Sequence, residues 1–438
     1  MTSRRRELVN LGFAGVVAAT AFASAWIAGS GTVSGDWGRF AGWALAFAAL
    51  FALAHVVVRR TAPFADPTLL PLTAILAAVG LTVIYRLDPE QARKQLVWVA
   101  LGVGVLAGVL VWLRWDYRIL ERYKYLFGIS AVALLLLPSV PGVGERINGV
   151  RLWVEIGPLQ FQPGEIAKIL MIVFLAAYLR DKRESLARGR LKDVGPLLAI
   201  WGASMLVLVQ TSDLGAALLS FGIFLAMLYA ATGRALYVAG GLALFAAGSA
   251  VLYNALPRVE QRVTVWLHPW TDEKVRCWTG EMDFRQYCDS YQLVKSLYSI
   301  ANGGYGGTGL GQGTFETIDG TPLIPALDTD FIYSAIAQEL GLIGAAAILL
   351  LYLVFVARGM RIALVAQDGF SKLLAVGLTF GFALQTFIIV GGVLRIVPLT
   401  GITLPFVSYG GSSILSNCVM LALLLLVSNR AVAAAQDR

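Results

Sequence analysis

The residues with the most chemical potential are ionisable groups placed where the chain meets long apolar runs. Asp328 and Asp330 close a glycine-rich stretch just before the apolar segment that begins at Phe331. Charged groups at such a boundary are costly to keep and mark a functional site by default. Glu165 and Lys168 follow Pro163 at a helix start, three residues apart and so able to share one helical face. Two readings stand side by side: an ion pair that only holds the helix, or a lysine that meets a phosphate while the glutamate orients it. Asp213 lies in the turn QTSDLG between two apolar runs, where an acid also serves simply as a helix cap. Arg258 and Arg262, four apart, can clamp one anionic group. These are carboxylates and anion-binding cations gathered at one membrane face.

Composition says what must position them. Of 438 residues 58% are hydrophobic and 14% charged, with a mean hydropathy of +0.72. A soluble domain carries about 25% charged residues. The apolar runs approach the ~20 residues a spanning helix needs and lack the alternation of barrel strands. The expected fold class is therefore all-α, a polytopic transmembrane helical bundle. The net charge of +8 follows topology and gives no reason to expect nucleic-acid binding.

Twelve spans are expected, at 8–28, 41–58, 67–85, 96–113, 121–138, 165–180, 194–209, 214–231, 236–256, 331–357, 371–393 and 412–428. A cytoplasmic N-terminus places about 21 of the 35 Lys and Arg inside, including the run RDKRESLARGRLKD at 180–193. The long 257–330 loop then faces outward and the C-terminus returns to the cytoplasm. Arg4 to Arg6, an apolar core and AFASA at 21–25 also resemble a cleavable signal. Retention of the first span is the expectation.

The outward loops carry further signals. The Gly and Pro of 138–168 forbid one continuous helix, and Arg146, Arg151, Trp112 and Trp153 suit the headgroup level. His268, Trp266 and Trp270 extend the basic and aromatic front of Arg258 and Arg262. Cys277 and Cys288 share an outward loop, where oxidation favours a disulfide, while Cys418 lies in an apolar span. GGYGGTGLGQG at 303–313 lacks a preceding strand and a Walker lysine-serine ending, so it is not a nucleotide loop. Its glycines suit tight turns or close approach of backbone N–H groups to an anion. The last loop, 395–413, adds Arg395.

NGVRLW, QPGEIAK, the DLG at 213–215, the glycine-rich segment, TDFIYSAIAQELG and LPFVSYGGSS occur in the order found in SEDS proteins. The chain resembles this shape, elongation, division and sporulation family, whose members include RodA and FtsW. It is more similar to actinobacterial RodA. The resemblance implies two extra N-terminal spans (1–66), a core opening at 67–256, the outer loop 257–330 and closing spans at 331–438. It implies a multi-pass protein of the bacterial plasma membrane that polymerises lipid II into glycan strands beside a class B penicillin-binding protein. Asp330 matches the essential acid, and Lys168, Glu165, Asp213 and Trp153 match residues of other family motifs. Asp330 would then be the base for the acceptor hydroxyl, with Asp328 a modulating neighbour. Lys168, Arg258, Arg262 and a divalent cation, Mg or Mn, would meet the leaving diphosphate. Departures are Asp328 where the family has His, QTSDLG for QPDLG, Leu152 at the usual Arg position, and an apparent insertion at 272–290. A lipid II flippase, a reading of a different class, would need a similar cavity and cations.

Overall fold

The computed structural model describes residues 3–30, 37–147, 150–157, 159–188, 195–271, 274–277, 282–317 and 321–436. Asn148 and Gly149 of the NGVRLW motif, 189–193 of the basic run, and parts of the 272–290 stretch lie outside the described residues.

Helical segments cover each expected span, those at 121–138 and 331–357 in more than one piece. In chain order these are α1 (Ser3–Ser30), α2 (Trp37–Thr61), α3 (Leu69–Leu87) and α4 (Pro89–Leu113), then the single turn α5 (Ile119–Arg122) and α6 (Lys124–Leu136). They continue with α7 (Pro163–Ala187), α8 (Gly195–Gln210), α9 (Leu214–Thr232) and α10 (Ala235–Ala255). The closing helices are α13 (Ile332–Val365), α14 (Gly369–Val393) and α15 (Gly411–Gln436), after α11 (Pro257–Leu267) and α12 (Tyr291–Gly303) in the long loop. Among the described residues, nine helices are long and apolar enough to cross a membrane. The chain is a polytopic helical membrane protein. α7 falls outside that set; Glu165 and Lys168 lie in its first two turns and its far end is strongly charged.

Termini are set by local chemistry. Asp88 caps α4, accepting from the N–H groups of Glu90 (2.8 Å) and Gln91 (3.1 Å), and Pro89 occupies the first helical position. Leu421, Leu424, Leu425 and Val427 of α15 are fully buried, as are Phe174, Leu175 and Leu179 of α7. By contrast α10 buries no residue.

Two small sheets interrupt the all-α expectation. β1 (Gly144–Ile147), β2 (Val150–Ile156) and β3 (Leu159–Phe161) form an antiparallel sheet within the 138–168 loop. β4 (Lys274–Arg276) and β5 (Met282–Phe284) pair antiparallel, and a disulfide joins Cys277 to Cys288 with Cα atoms 5.1 Å apart.

The 331–357 span is not one continuous helix. Gly341 breaks α13 with φ +66°, a left-handed conformation that suits glycine. A break inside an apolar bundle strands backbone donors and acceptors that water cannot reach. The glycine-rich segment satisfies both sides. Thr308 and Gly309 donate to the carbonyls of Gln338 (2.9 Å) and Glu339 (3.0 Å), ending the first half. The N–H groups of Leu342 and Ile343 donate to Gly304 O (2.9 Å) and Tyr305 O (3.2 Å), starting the second. Glu339 lies buried at the junction, 3.5 Å from Arg86, and accepts from Gly313 N at 3.2 Å. These glycines therefore serve close backbone packing rather than anion approach.

A Cβ at Gly303 would sit 2.0 Å from Ala337 O, whereas one at Gly306 would meet nothing within 4 Å. Thermal unfolding in detergent should show Gly303→Ala destabilised by about 1–3 kcal/mol, the usual range for overpacking. Gly306→Ala should be near neutral, and equal effects at the two positions would contradict the packing.

Candidate active site

Asp330 is held by a tight turn at the head of the nine-residue half-helix before the break. Its N–H, with that of Phe331, donates to Ala326 O (3.0 and 3.3 Å). Phe331 is buried, anchoring the turn, while the half-buried Asp330 carboxylate faces a cavity of about 1190 Å³. Gly401 closes over it: a Cβ there would lie 3.4 Å from Asp330 Oδ2. The cavity also takes in Trp153, Glu165, Lys168, Asp213, Arg258 and Arg262. Residues spread over nearly two hundred positions thus share one space.

Electrostatics differ among the acids. Burial pushes the Asp330 carboxyl up to about 6; Arg262 opposes this and Asp328 adds to it. Burial also raises Asp213, opposed by the Ala216 N–H it caps (3.0 Å) and by Arg262, while Glu165 adds to it. Asp213 is therefore both helix cap and cavity wall. Arg262 donates to Thr400 O at 3.3 Å, with its charge between Asp213 and Asp330. Arg258, Gln261 and Arg262 line the cavity at i, i+3 and i+4, one face of α11. Thr400 Oγ1, buried on the same wall, has no hydrogen-bond partner among the described residues.

Lys168 donates to Glu165 Oε2 (2.9 Å) and to Gln385 Oε1 (2.7 Å), and Ser416 donates to Glu165 at 2.8 Å. Gln385 in turn donates to Thr403 O at 2.9 Å. The pair therefore ties α7 to α14, α15 and the 400–403 segment while still facing the cavity. A bulge in the β1–β2 register brings Leu152 and Trp153, adjacent in sequence, both to the cavity.

Not every expected residue joins them. Arg151 is exposed and off the cavity wall. Asp328 is likewise absent from the wall; its carbonyl accepts from Tyr409 N at 2.9 Å, and its charge is the lesser cause of the Asp330 shift, after burial. Arg395 faces α11, donating to Trp266 O (2.7 Å) and Leu267 O (2.8 Å) and stacking on Trp270. It pins that helix. His268 is absent from the cavity wall, and its carbonyl accepts from Arg285. Gln385, Thr403, Ser416 and Thr400 were not singled out from sequence. A glutamine within an apolar span was the available signal for Gln385. Among the described residues, no three His, Cys, Asp or Glu side chains group closely enough to hold an ion.

A family model described as cell cycle protein, covering FtsW, RodA and SpoVE, matches residues 59–432. The chain belongs to the FtsW/RodA/SpoVE family. It is 40% identical to the peptidoglycan glycosyltransferase RodA of Mycobacterium tuberculosis over 98% of this chain and 91% of that protein. It is 33% identical to stage V sporulation protein E of Bacillus subtilis, over 85% of this chain and 99% of that protein. Among solved structures, a chain of a peptidoglycan synthase complex superposes with a TM-score of 0.68 and 27% identity, over 84% of this chain and 98% of that one. RodA of Thermus thermophilus shares the fold at a TM-score of 0.57 and 24% identity, over 83% and 96%. The family match runs from the end of α2 into the last turns of α15 and includes every cavity residue described above.

The Glu165–Lys168 pair should behave as a coupled unit. Removing one member leaves a poorly hydrated charge, typically worth about 3–5 kcal/mol for a buried pair. Lys168→Met should lose stability in detergent melts, and Glu165→Gln with Lys168→Met should recover it without recovering polymerisation of lipid II. Full activity in the double variant would reduce the pair to a structural brace.

Proposed function

We propose that this chain is a peptidoglycan glycosyltransferase that polymerises lipid II, transferring disaccharide-peptide units with release of undecaprenyl diphosphate. Support comes from the relatives named as glycosyltransferases. The observation that carries the chemistry is Asp330, a carboxylate whose proton affinity is raised by burial at the wall of a cavity also lined by Lys168, Arg258 and Arg262.

Asp330 takes the proton of the acceptor sugar hydroxyl as that oxygen bonds to the donor's anomeric carbon. The bond from this carbon to the diphosphate oxygen breaks, and the electron pair leaves with the diphosphate. A pKa of about 6 leaves Asp330 mostly ionised at neutral pH yet more basic than an ordinary aspartate. A positioned base contributes typically ~10²–10⁴-fold. Lys168, Arg258 and Arg262 stabilise the charge that develops on the leaving group, often the larger contribution. Magnesium arriving with substrate phosphates needs only one or two protein carboxylates. Asp213, the acid near Arg262 that is not the base, would hold it, and the cation would then supply further charge neutralisation at the leaving diphosphate.

We further read α1 and α2 as additions to a ten-span core, both termini as cytoplasmic and the cavity as opening outward. The role is wall elongation and cell shape, beside a class B penicillin-binding protein. A flippase would need a similar cavity, but it has no use for a base.

Purified protein in detergent, with no bilayer to flip across, should polymerise lipid II. Asp330→Asn should lower the rate at least ~10²-fold with no loss of thermal stability. The sign follows from the raised pKa: a group more easily protonated when folded destabilises the fold as pH rises above its unfolded value. Asp328→Asn should leave a slower enzyme. Near-parental activity in Asp330→Asn with a dead Asp328→Asn would reverse the assignment.

A further inference from the structure

Two cations on the cavity wall have no role in the chemistry above. Arg93 and Lys94 lie in the second turn of α4, and both line the cavity. They come from a wall different from that of α11, since α4 packs on α15, α3 and α2 while α11 packs on α10. Their placement is firmly fixed. Gln95 donates to Ser408 O at 3.2 Å and accepts from Gly410 N at 3.3 Å. Gly411 lies so close over Trp98 that a Cβ would meet the indole at 2.1 Å. The second turn of α4 is thereby fastened to the loop whose other end, Thr400 and Gly401, touches Arg262 and Asp330. Lys94 is braced by Glu90 at 3.2 Å, and Arg93 forms no ion pair among the described residues.

We propose that Arg93 and Lys94 form a second diphosphate site, which holds the lipid-linked acceptor while Lys168, Arg258 and Arg262 hold the leaving group. This rests on the polymerase reading. Joining two lipid-linked sugars releases one diphosphate and keeps the other. The retained diphosphate is separated from the reacting hydroxyl by the sugars of its own disaccharide. The acceptor's charge therefore cannot sit on the cations beside Asp330, and the same cavity needs a second cationic point away from the base. Arg93 and Lys94 provide it. Tyr409, which lines the cavity, lies near Lys94. Both cations are exposed, so phosphate can reach them, and salt should screen them.

The test is steady-state polymerisation of lipid II by the purified full-length protein at two ionic strengths. It compares the parent with Arg93→Gln/Lys94→Gln and with Lys274→Gln/Arg276→Gln, which removes the same charge from the β4 strand, whose residues do not line the cavity. The cavity pair should raise KM for lipid II about tenfold, the scale of one charge-assisted contact, with kcat changed less than about twofold. Its KM should also lose much of the parental salt dependence. The β4 variant should match the parent. An unchanged KM, a loss confined to kcat, or an equal KM rise in the β4 variant would each overturn the second site while leaving the polymerase reading intact. Absence of polymer from the parent would instead remove the polymerase reading and the inference with it.

Discussion

The site depends on a helix that stops after nine residues. A break inside an apolar bundle leaves carbonyls on one side and N–H groups on the other, and each unsatisfied group there costs several kcal/mol. The segment 304–309 meets both sets, so the half-helix 332–340 has one length and one position. Ser296 and Ser299 of α12 extend that hold, bonding Ser334 (2.7 Å) and Gln338 (2.5 Å). Asp330 heads this half-helix, and its place on the cavity wall follows from a backbone constraint on the far side of the same element. Preorganisation of the base is thus built by hydrogen bonds that never touch substrate.

Charge in the cavity is arranged so that Glu165, Asp213 and Asp330 each have a cation nearby. Lys168 compensates Glu165, and Arg262 lies between Asp213 and Asp330. Desolvation outweighs these attractions at Asp330, which leaves a base more proton-hungry than a surface aspartate rather than a silent ion pair. The same arrangement explains how such groups persist in an apolar bundle: the network through Gln385, Thr403 and Ser416 satisfies the atoms that the ion pair does not.

Much of this was legible in the sequence, for physical reasons. Apolar length gave the helices, because each span must satisfy its backbone internally. Pro163 and the i, i+3 spacing placed Glu165 beside Lys168, and the spacing of Arg258 and Arg262 put both on one face of α11. The break at Gly341 was not legible, since hydropathy is blind to φ and the run on either side is apolar. Nor was the partnership of Lys168 with Gln385, 217 positions away, which only tertiary packing creates. Arg395 misled because a cation in a polar loop carries no sign of which way it faces. The small sheet over the cavity was hidden by its own turns, which read as irregular loop.

The central claim is that Asp330, on the cavity wall and near Arg262, is the catalytic base. The most direct measurement is the pH dependence of kcat/KM for lipid II polymerisation by the parent and by Arg262→Gln. Because the base must be ionised, activity should rise with pH through an acid limb at about 6 in the parent. Removing the guanidinium that opposes the shift should move the limb upward, whatever it does to the absolute rate. A parental limb at the ordinary aspartate value of about 4, or one indifferent to Arg262, would contradict the account.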